Sequence, residues 1–347
     1  MRHGSTSLGR YASRLCLALA SIYLALLATE VTLWWMQPTS VLKTMGRGRY
    51  VVKDGRVMLT PGFHMHFDDG YAHGDIAINS LGYRGHEPRG DGTARVLLVG
   101  DSFAFGEMLD QQDTIDACLE RLDAHRDVVN LGVTGYNLPE QLEPLGRWTL
   151  PARHVVYLFY GNDLEGPVDQ MIVDGYRIRR LHRPDSTPMS DDEMRPIAAA
   201  QVDRIERSRR LSRGSFRLPR VRQALRDARA KMANGAHGAR DGFRDEAQRT
   251  RGVDRGVRAT EEMRSLAVER GMTFRVVIVP SLEETTARAY QPAVTRYVAA
   301  LEARGVTVVD LLPRLSPDDY WRHDGHFNPR GASVAARAID VALRDIE

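Results

Sequence analysis

Residues Val96-Leu97-Leu98-Val99-Gly100-Asp101-Ser102-Phe103-Ala104-Phe105-Gly106 decide the fold. An apolar run with β-branched ends meets a Gly-Asp-Ser corner, which is how a buried parallel strand ends when it delivers a side chain to the rim of its sheet. That side chain is Ser102. With Gly100 and Gly106 bracketing the corner, the serine is expected where the strand hands over to a helix N-terminus, whose unpaired N–H groups favour developing negative charge. A β-turn would explain the tripeptide alone, so the reading depends on the rest of the chain.

Downstream, Asp113 to His125 sets Ile115, Leu119 and Leu122 on one helical face, with Asp113 as the expected cap. A second strand, Val128 to Leu131, runs into Gly132-Val133-Thr134-Gly135-Tyr136-Asn137. Leu138, Leu142, Leu145 and Trp148 mark the next helix, and a third strand, His154 to Tyr160, ends in Gly161-Asn162-Asp163. The pattern resumes with a helix from Thr260 to Arg270, a strand from Phe274 to Val279, a helix from Pro292 to Arg304 and a fifth strand from Val306 to Leu311. Asn328-Pro329 reads as the cap and first turn of the last helix. Strands alternating with helices in this way predict an α/β fold, a doubly wound parallel sheet of five strands.

The stretch 166–255 breaks the alternation. It is polar, helical in tendency and rich in cations, densest at Arg207, Arg209, Arg210, Arg213, Arg217, Arg220 and Arg222. A solvated helical insertion is expected, with contact to anionic lipid or polysaccharide as the alternative.

The 347 residues suffice for a large α/β domain, and the net charge is only +3. Lys43, Lys53 and Lys231 are the lysines; the arginine bias speaks for a GC-rich genome, and no nucleic-acid partner is expected. Cys16 and Cys118 predict no disulfide framework. Leu15 to Met36 is apolar enough to span about one bilayer core as a helix. A basic leader of Arg2, Arg10 and Arg14 precedes it. Cleavage after Ala18-Leu19-Ala20 would leave too short an apolar region, so an uncleaved anchor is favoured over a signal peptide. Glu30 near its far end is expected to reach the head groups with Trp34 and Trp35. The expected organisation is a cytoplasmic leader (1–14), a transmembrane anchor (15–36), a β-hairpin and linker region (37–92) and an exported catalytic domain (93–347) carrying the insertion 166–255.

Between Tyr50 and Ile78, short β-rich pieces alternate with turns, predicting one or two hairpins. His64, His66 and His73 with Asp68 and Asp69 invite a metal hypothesis, but no second ligand pair has a recognised spacing, so neither metal nor cofactor is predicted. Asn79-Ser80-Leu81-Gly82-Tyr83-Arg84-Gly85 forms a tight polar connection to the central strand.

Serine catalysis needs a base, a carboxylate to orient it and donors for the oxyanion. In open α/β sheets the carboxyl ends of strands line one crevice, so Ser102, Gly135 and Asn162 should converge there. Asp324 and His326 lie just before the last helix, which can return to the same rim. Taken singly, Gly135 is also a turn glycine, Asn162 a helix cap and Asp324 with His326 a surface turn.

In this order the motifs resemble the SGNH/GDSL hydrolase superfamily. Gly100-Asp101-Ser102 is similar to its first block, the glycine of Gly132 to Asn137 to its second, Gly161-Asn162-Asp163 to its third and Asp324-Gly325-His326-Phe327-Asn328-Pro329 to its fifth. The likeness covers roughly 79–165 and 272–347. It implies a flavodoxin-like three-layer α/β/α fold, Ser102 as nucleophile, His326 as base oriented by Asp324, and an oxyanion hole of the Ser102 and Gly135 N–H groups with the Asn162 amide. One departure is the spacing: the family's aspartate stands three residues before the histidine, where this chain has His323. Asp-x-His before an aromatic and Asn/Thr-Pro is similar to the branch that handles O-acetyl groups on exported polysaccharide. Asp318 and Asp319 compete with Asp324 for His326. The functions implied are a serine esterase acting on cell-envelope or exported polysaccharide, an O-acyltransferase using the same residues, or a non-catalytic polysaccharide-binding protein on the same scaffold.

Overall fold

The computed structural model describes residues 5–36, 47–53, 56–68, 72–92, 94–138, 140–166, 170–181, 189–212, 218, 221, 243, 245–322 and 324–345. In chain order the elements are α1 (Ser5–Met36), β1 (Tyr50–Lys53), β2 (Arg56–Leu59), β3 (His64–Asp68), β4 (His73–Ala77), β5 (Arg95–Gly100), α2 (Ser102–Phe105), α3 (Ile115–Leu122), β6 (Asp127–Asn130), α4 (Leu142–Arg147), β7 (His154–Tyr160), β8 (Gln170–Val173), β9 (Tyr176–Arg179), α5 (Asp191–Ser212), α6 (Glu246–Glu269), β10 (Thr273–Val279), α7 (Leu282–Ala287), α8 (Pro292–Glu302), β11 (Val308–Asp310) and α9 (Pro329–Arg344).

The chain divides into two compact units. The smaller comprises residues 1–44, 68–71 and 199–238. Within it, Ser13–Thr32 of α1 is long and apolar enough to cross a membrane. Glu30, expected at the head groups, is covered by the chain itself, its carboxylate accepting the Val221 N–H at 2.9 Å. A carboxylate on an apolar helix needs such a donor. Arg213, Arg217, Arg220 and Arg222, like Asp69 and His323, fall outside the described residues.

The larger unit holds the parallel sheet, in the order β11-β10-β7-β5-β6. Every residue of β5 is buried because helices cover both faces. Leu97 and Val99 point into a layer with Leu145 of α4, Val253 and Met263 of α6 and Tyr297 of α8. Val96 and Leu98 point into the opposite layer with Leu119 of α3 and Ala335 and Ile339 of α9. Burial is worth roughly 1.5–3 kcal/mol for each such side chain, which explains a strand with no polar alternation. This is the three-layer α/β/α arrangement. The chain leaves β5 for β6 on one side while β7 pairs on the other, so the crevice opens at the carboxyl end of β5. Two hairpins, β1 with β2 and β3 with β4, pack Tyr50, Leu59, Phe67 and Ile78 onto Phe105, Met108, Val133 and Tyr136 beside that end.

Several elements differ from expectation. The cap of α3 is Thr114, whose hydroxyl accepts the Ala117 N–H, while Asp113 sits in the preceding 3-10 turn. The helix expected from Thr260 starts at Glu246, capped by Asp245 on the Gln248 N–H at 2.7 Å. Gly252 and Gly256, which look like breaks, lie where α6 presses against Leu164. The stretch after Gly166 is not purely helical: β8 and β9 form an antiparallel hairpin. Its turn residues Asp174 and Gly175, at φ 51° and 79°, make the type I′ turn that matches strand twist. Leu138 and Trp148 lie outside the short α4, and α7 arises from a Ser281–Glu284 capping box that the strand-and-helix pattern does not announce.

Candidate active site

Ser102 is the first residue of α2, reached through Gly100 at the end of β5. A Cβ at Gly100 would lie 2.7 Å from the Leu158 carbonyl oxygen and 2.9 Å from Ala104 Cβ, so only glycine lets the corner turn this tightly against β7. Asp101 caps the turn, its carboxylate accepting the Phe103 N–H at 2.9 Å.

The structure brings Ser102, His326 and Asp324 into one hydrogen-bonded line. Ser102 Oγ lies 2.7 Å from His326 Nε2, and His326 Nδ1 lies 2.9 and 3.1 Å from the two Asp324 oxygens. Because a carboxylate only accepts, Nδ1 carries the proton and Nε2 is left to accept from the serine hydroxyl. Phe103 lies beside the imidazole, ring centroids 5.1 Å apart, and meets Phe327 edge-on. Burial works to lower the His326 pKa, but the hydrogen bond and charge of Asp324, with the charges of Glu107 and Asp101, raise it above the ordinary imidazole value.

Asp324 and His326 do not lie on an extended piece, on which residues two apart would point the same way. They instead flank a turn: Gly325 takes φ 82°, and its N–H and that of Asp324 donate to the Trp321 carbonyl at 2.7 and 3.1 Å. The Trp321 N–H returns to the His326 carbonyl at 2.8 Å, and Tyr320 bridges Phe327. This turn lets a carboxylate two residues away reach the ring nitrogen. Asp319, the competitor, is buried on other partners: Ser316, whose N–H donates at 2.7 Å, and Arg330, 2.8 Å away.

Gly135 and Asn162 stand beyond the carboxyl ends of β6 and β7, the two strands flanking β5. Among the described residues neither the Gly135 N–H nor the exposed Asn162 amide has a hydrogen-bond partner. Next to Asn162, Asp163 anchors the turn: it accepts from Gln141 Nε2 at 2.6 Å, the Tyr160 N–H at 3.0 Å and the Tyr157 hydroxyl at 3.1 Å. Burial, and then the charge of Asp101, pushes Asp163 well above the ordinary carboxylate range, while burial pushes Asp101 up to about 6.

Four charged residues were not singled out as site residues by the sequence. Arg49 is buried against Glu107, with Nη1 and Nη2 3.1 and 2.7 Å from its oxygens, and Nη2 also meets Thr134 Oγ1 at 2.8 Å. Burial opposes the charge of each partner, but the pairing wins, holding Arg49 above and Glu107 below its ordinary range. Arg84, from the polar connection before β5, donates to the carbonyls of Phe105, Gly106 and Leu109, satisfying the open end of α2. Burial lowers its pKa to about 10. Both guanidiniums face the Phe105 ring, at 4.1 Å for Arg49 and 4.8 Å for Arg84. Arg177 of β9 donates to the Thr134 carbonyl. No local pattern marks them: Arg49 stands in Arg47-Gly48-Arg49-Tyr50, Arg84 in Tyr83-Arg84-Gly85, Glu107 in Gly106-Glu107-Met108 and Arg177 in Tyr176-Arg177-Ile178-Arg179.

The histidines considered for metal are not gathered into a ligand group among the described residues; His66 pairs with Asp75 at 3.0 Å on the surface. His86, Glu120 and Asp127 do come together, yet Arg89 and Arg95 already neutralise the two carboxylates at 2.7 and 2.6 Å.

Residues 240–346 match the family described as the SGNH hydrolase-like domain, acetyltransferase AlgX. That interval contains β10, β11, α9 and the Asp324–His326 turn, and the fold before it supplies the serine corner in the matching order. Over that interval the chain is similar to an SGNH hydrolase-like domain. No curated protein sequence matches this chain. Solved structures similar to it include a protein from Desulfitobacterium hafniense described as lipolytic and of the G-D-S-L family, at 10% identity and TM-score 0.40 over 72% of this chain and 100% of that one. An arylesterase from Agrobacterium tumefaciens matches at 14% identity and TM-score 0.39, covering 74% and 100%. A carbohydrate acetylesterase from Sinorhizobium meliloti matches at 10% and 0.38, covering 74% and 100%. These likenesses are too distant to carry an argument about activity.

Proposed function

We propose that this chain is a serine esterase that removes acyl groups from cell-envelope or exported polysaccharide. The observation that carries the reading is the unbroken line from Ser102 through His326 to Asp324. Ser102 Oγ adds to the ester carbonyl carbon as its proton passes to His326 Nε2, and the carbonyl pair collapses onto oxygen, facing Gly135 and Asn162. Collapse expels the alcohol, which takes the proton back from His326; water then repeats the sequence and frees the acid. Turnover of a short-chain aryl acetate by the purified protein, lost in both Ser102→Ala and His326→Ala, tests this directly.

Transfer of the acyl group to a sugar hydroxyl is the second reading, favoured by the match to a family described as an acetyltransferase. The two share the acyl-enzyme and differ in what resolves it. Adding oligosaccharide acceptors to the aryl acetate reaction separates them: a transferase accumulates acetylated sugar at the expense of free acetate, a hydrolase does not.

The apolar span Ser13–Thr32 supports a membrane anchor, and the basic leader before it favours export of the catalytic domain. Protease added to intact spheroplasts should then digest the domain; protection until lysis would place it in the cytoplasm.

A further inference from the structure

The peptide between Thr134 and Gly135 is held by residues outside the catalytic line. Its carbonyl accepts from Arg177 Nη1, whose guanidinium lies over the Tyr50 ring, 4.4 Å from the centroid. The Thr134 hydroxyl donates to Glu107 Oε2 at 2.6 Å and accepts from Arg49 at 2.8 Å. On the far side, the Gly135 carbonyl accepts from Gln170 Nε2 at 3.2 Å. Gly135 itself takes φ 73°, and a Cβ there would stand 2.5 Å from Arg177 Nη2, so glycine is required both by conformation and by the closeness of the arginine. Among the described residues no carboxylate lies within ion-pair distance of Arg177.

In a trans peptide the carbonyl and N–H point in opposite directions. A guanidinium fixed on the Thr134 oxygen therefore sets where the Gly135 N–H points, and among the described residues that N–H has no partner. We propose that Arg177, delivered by the β8–β9 hairpin, is a positioning residue of the oxyanion hole. By taking the Thr134 carbonyl it aims the Gly135 N–H into the crevice, and its positive charge polarises the peptide so that this N–H donates more strongly to the oxygen that gains the electron pair. The inference rests on the serine-esterase reading, with Gly135 as an oxyanion donor.

The test uses full-length protein in detergent, p-nitrophenyl acetate as substrate, and titration of reactive serines with an alkyl fluorophosphonate so that rates are expressed per competent site. Arg177→Met keeps the packing on Tyr50 and removes the donor and charge. It should lower kcat by roughly tenfold to a hundredfold with KM nearly unchanged, because the lost interaction acts in the transition state. Arg177→Lys, which keeps the charge and one donor, should recover part of the loss. A residue that only stabilises the hairpin would lower the melting temperature and the titratable fraction but leave kcat per site intact. Wild-type kcat per site in Arg177→Met, or a rise in KM alone, overturns the inference. Should Arg177→Met not fold, Arg177→Gln is read by the same criteria. Ser102→Ala separates the two levels: if it keeps turnover, the esterase reading fails and takes the inference with it; if it is inert while Arg177→Met is normal, only the inference fails.

Discussion

Arg49 and Glu107 close a two-point ion pair beneath the serine corner, with Nη1 and Nη2 at 3.1 and 2.7 Å from the carboxylate oxygens. Only 2% of the Arg49 side chain is exposed, against 20% for Glu107. Removing one member of a buried pair strands the other charge, at a cost of about 3–5 kcal/mol. With Glu107 partly wetted, Arg49→Met should destabilise by about 3 kcal/mol in urea unfolding, and adding Glu107→Gln should restore part of it. Because the Glu107 pKa is depressed on folding, the wild-type contribution is present above the ordinary carboxylate range and fades as pH falls below it.

Asp324 holds His326 in the accepting tautomer and raises its pKa against burial. Esterase kcat/KM should therefore fall on the acid side with a midpoint above the ordinary imidazole value of 6.5. Asp324→Asn should cut kcat by up to ~10⁴ and move that midpoint to lower pH. Asp319→Asn breaks the contacts to Ser316 and Arg330 instead. Its effect should be a loss of about 1 kcal/mol of stability with kcat unchanged, which a paired melting and turnover measurement distinguishes.

Asn162 is exposed and, among the described residues, its amide has no partner, as expected of an oxyanion donor that waits for charge. Asn162→Ala should lower kcat by ~10²–10³ while leaving KM nearly constant. A change confined to KM would make Asn162 a substrate-binding residue.

His86 takes no part in the Ser102–His326–Asp324 line and offers a separate check on the electrostatics. Its hydrogen bond to Glu120, 2.8 Å long, outweighs burial and raises its pKa to about 9. Since the folded value exceeds the unfolded one, the contribution is full below pH ~6.5 and is lost as pH rises through about 9. The imidazole is 40% exposed, so the effect is small. The melting-temperature difference between wild type and His86→Gln should shrink from pH 6 to pH 10.

The sheet and the serine corner were legible because they rest on strong local signals. Val96 to Val99 has no polar residue, and Gly100 and Ser102 mark its end. Helix starts were less legible where Thr114 and Asp113 compete as caps, and where Gly252 and Gly256 serve packing rather than termination. The β8–β9 hairpin carried a readable Asp174-Gly175 signal, masked by the arginine-rich composition around it. What no local pattern encodes is tertiary: Arg49, Arg84 and Arg177 converge on the crevice from three separate segments, and only the folded chain places their charges there.

The central claim, that Ser102 is a nucleophile activated by His326, is tested most directly by locating a covalent adduct. After treatment with an alkyl fluorophosphonate, peptide mass spectrometry should find one modified serine, Ser102, with labelling abolished in Ser102→Ala and strongly reduced in His326→Ala. Equal labelling of Ser102→Ala, or ester turnover by a protein whose Ser102 stays unmodified, would contradict the account.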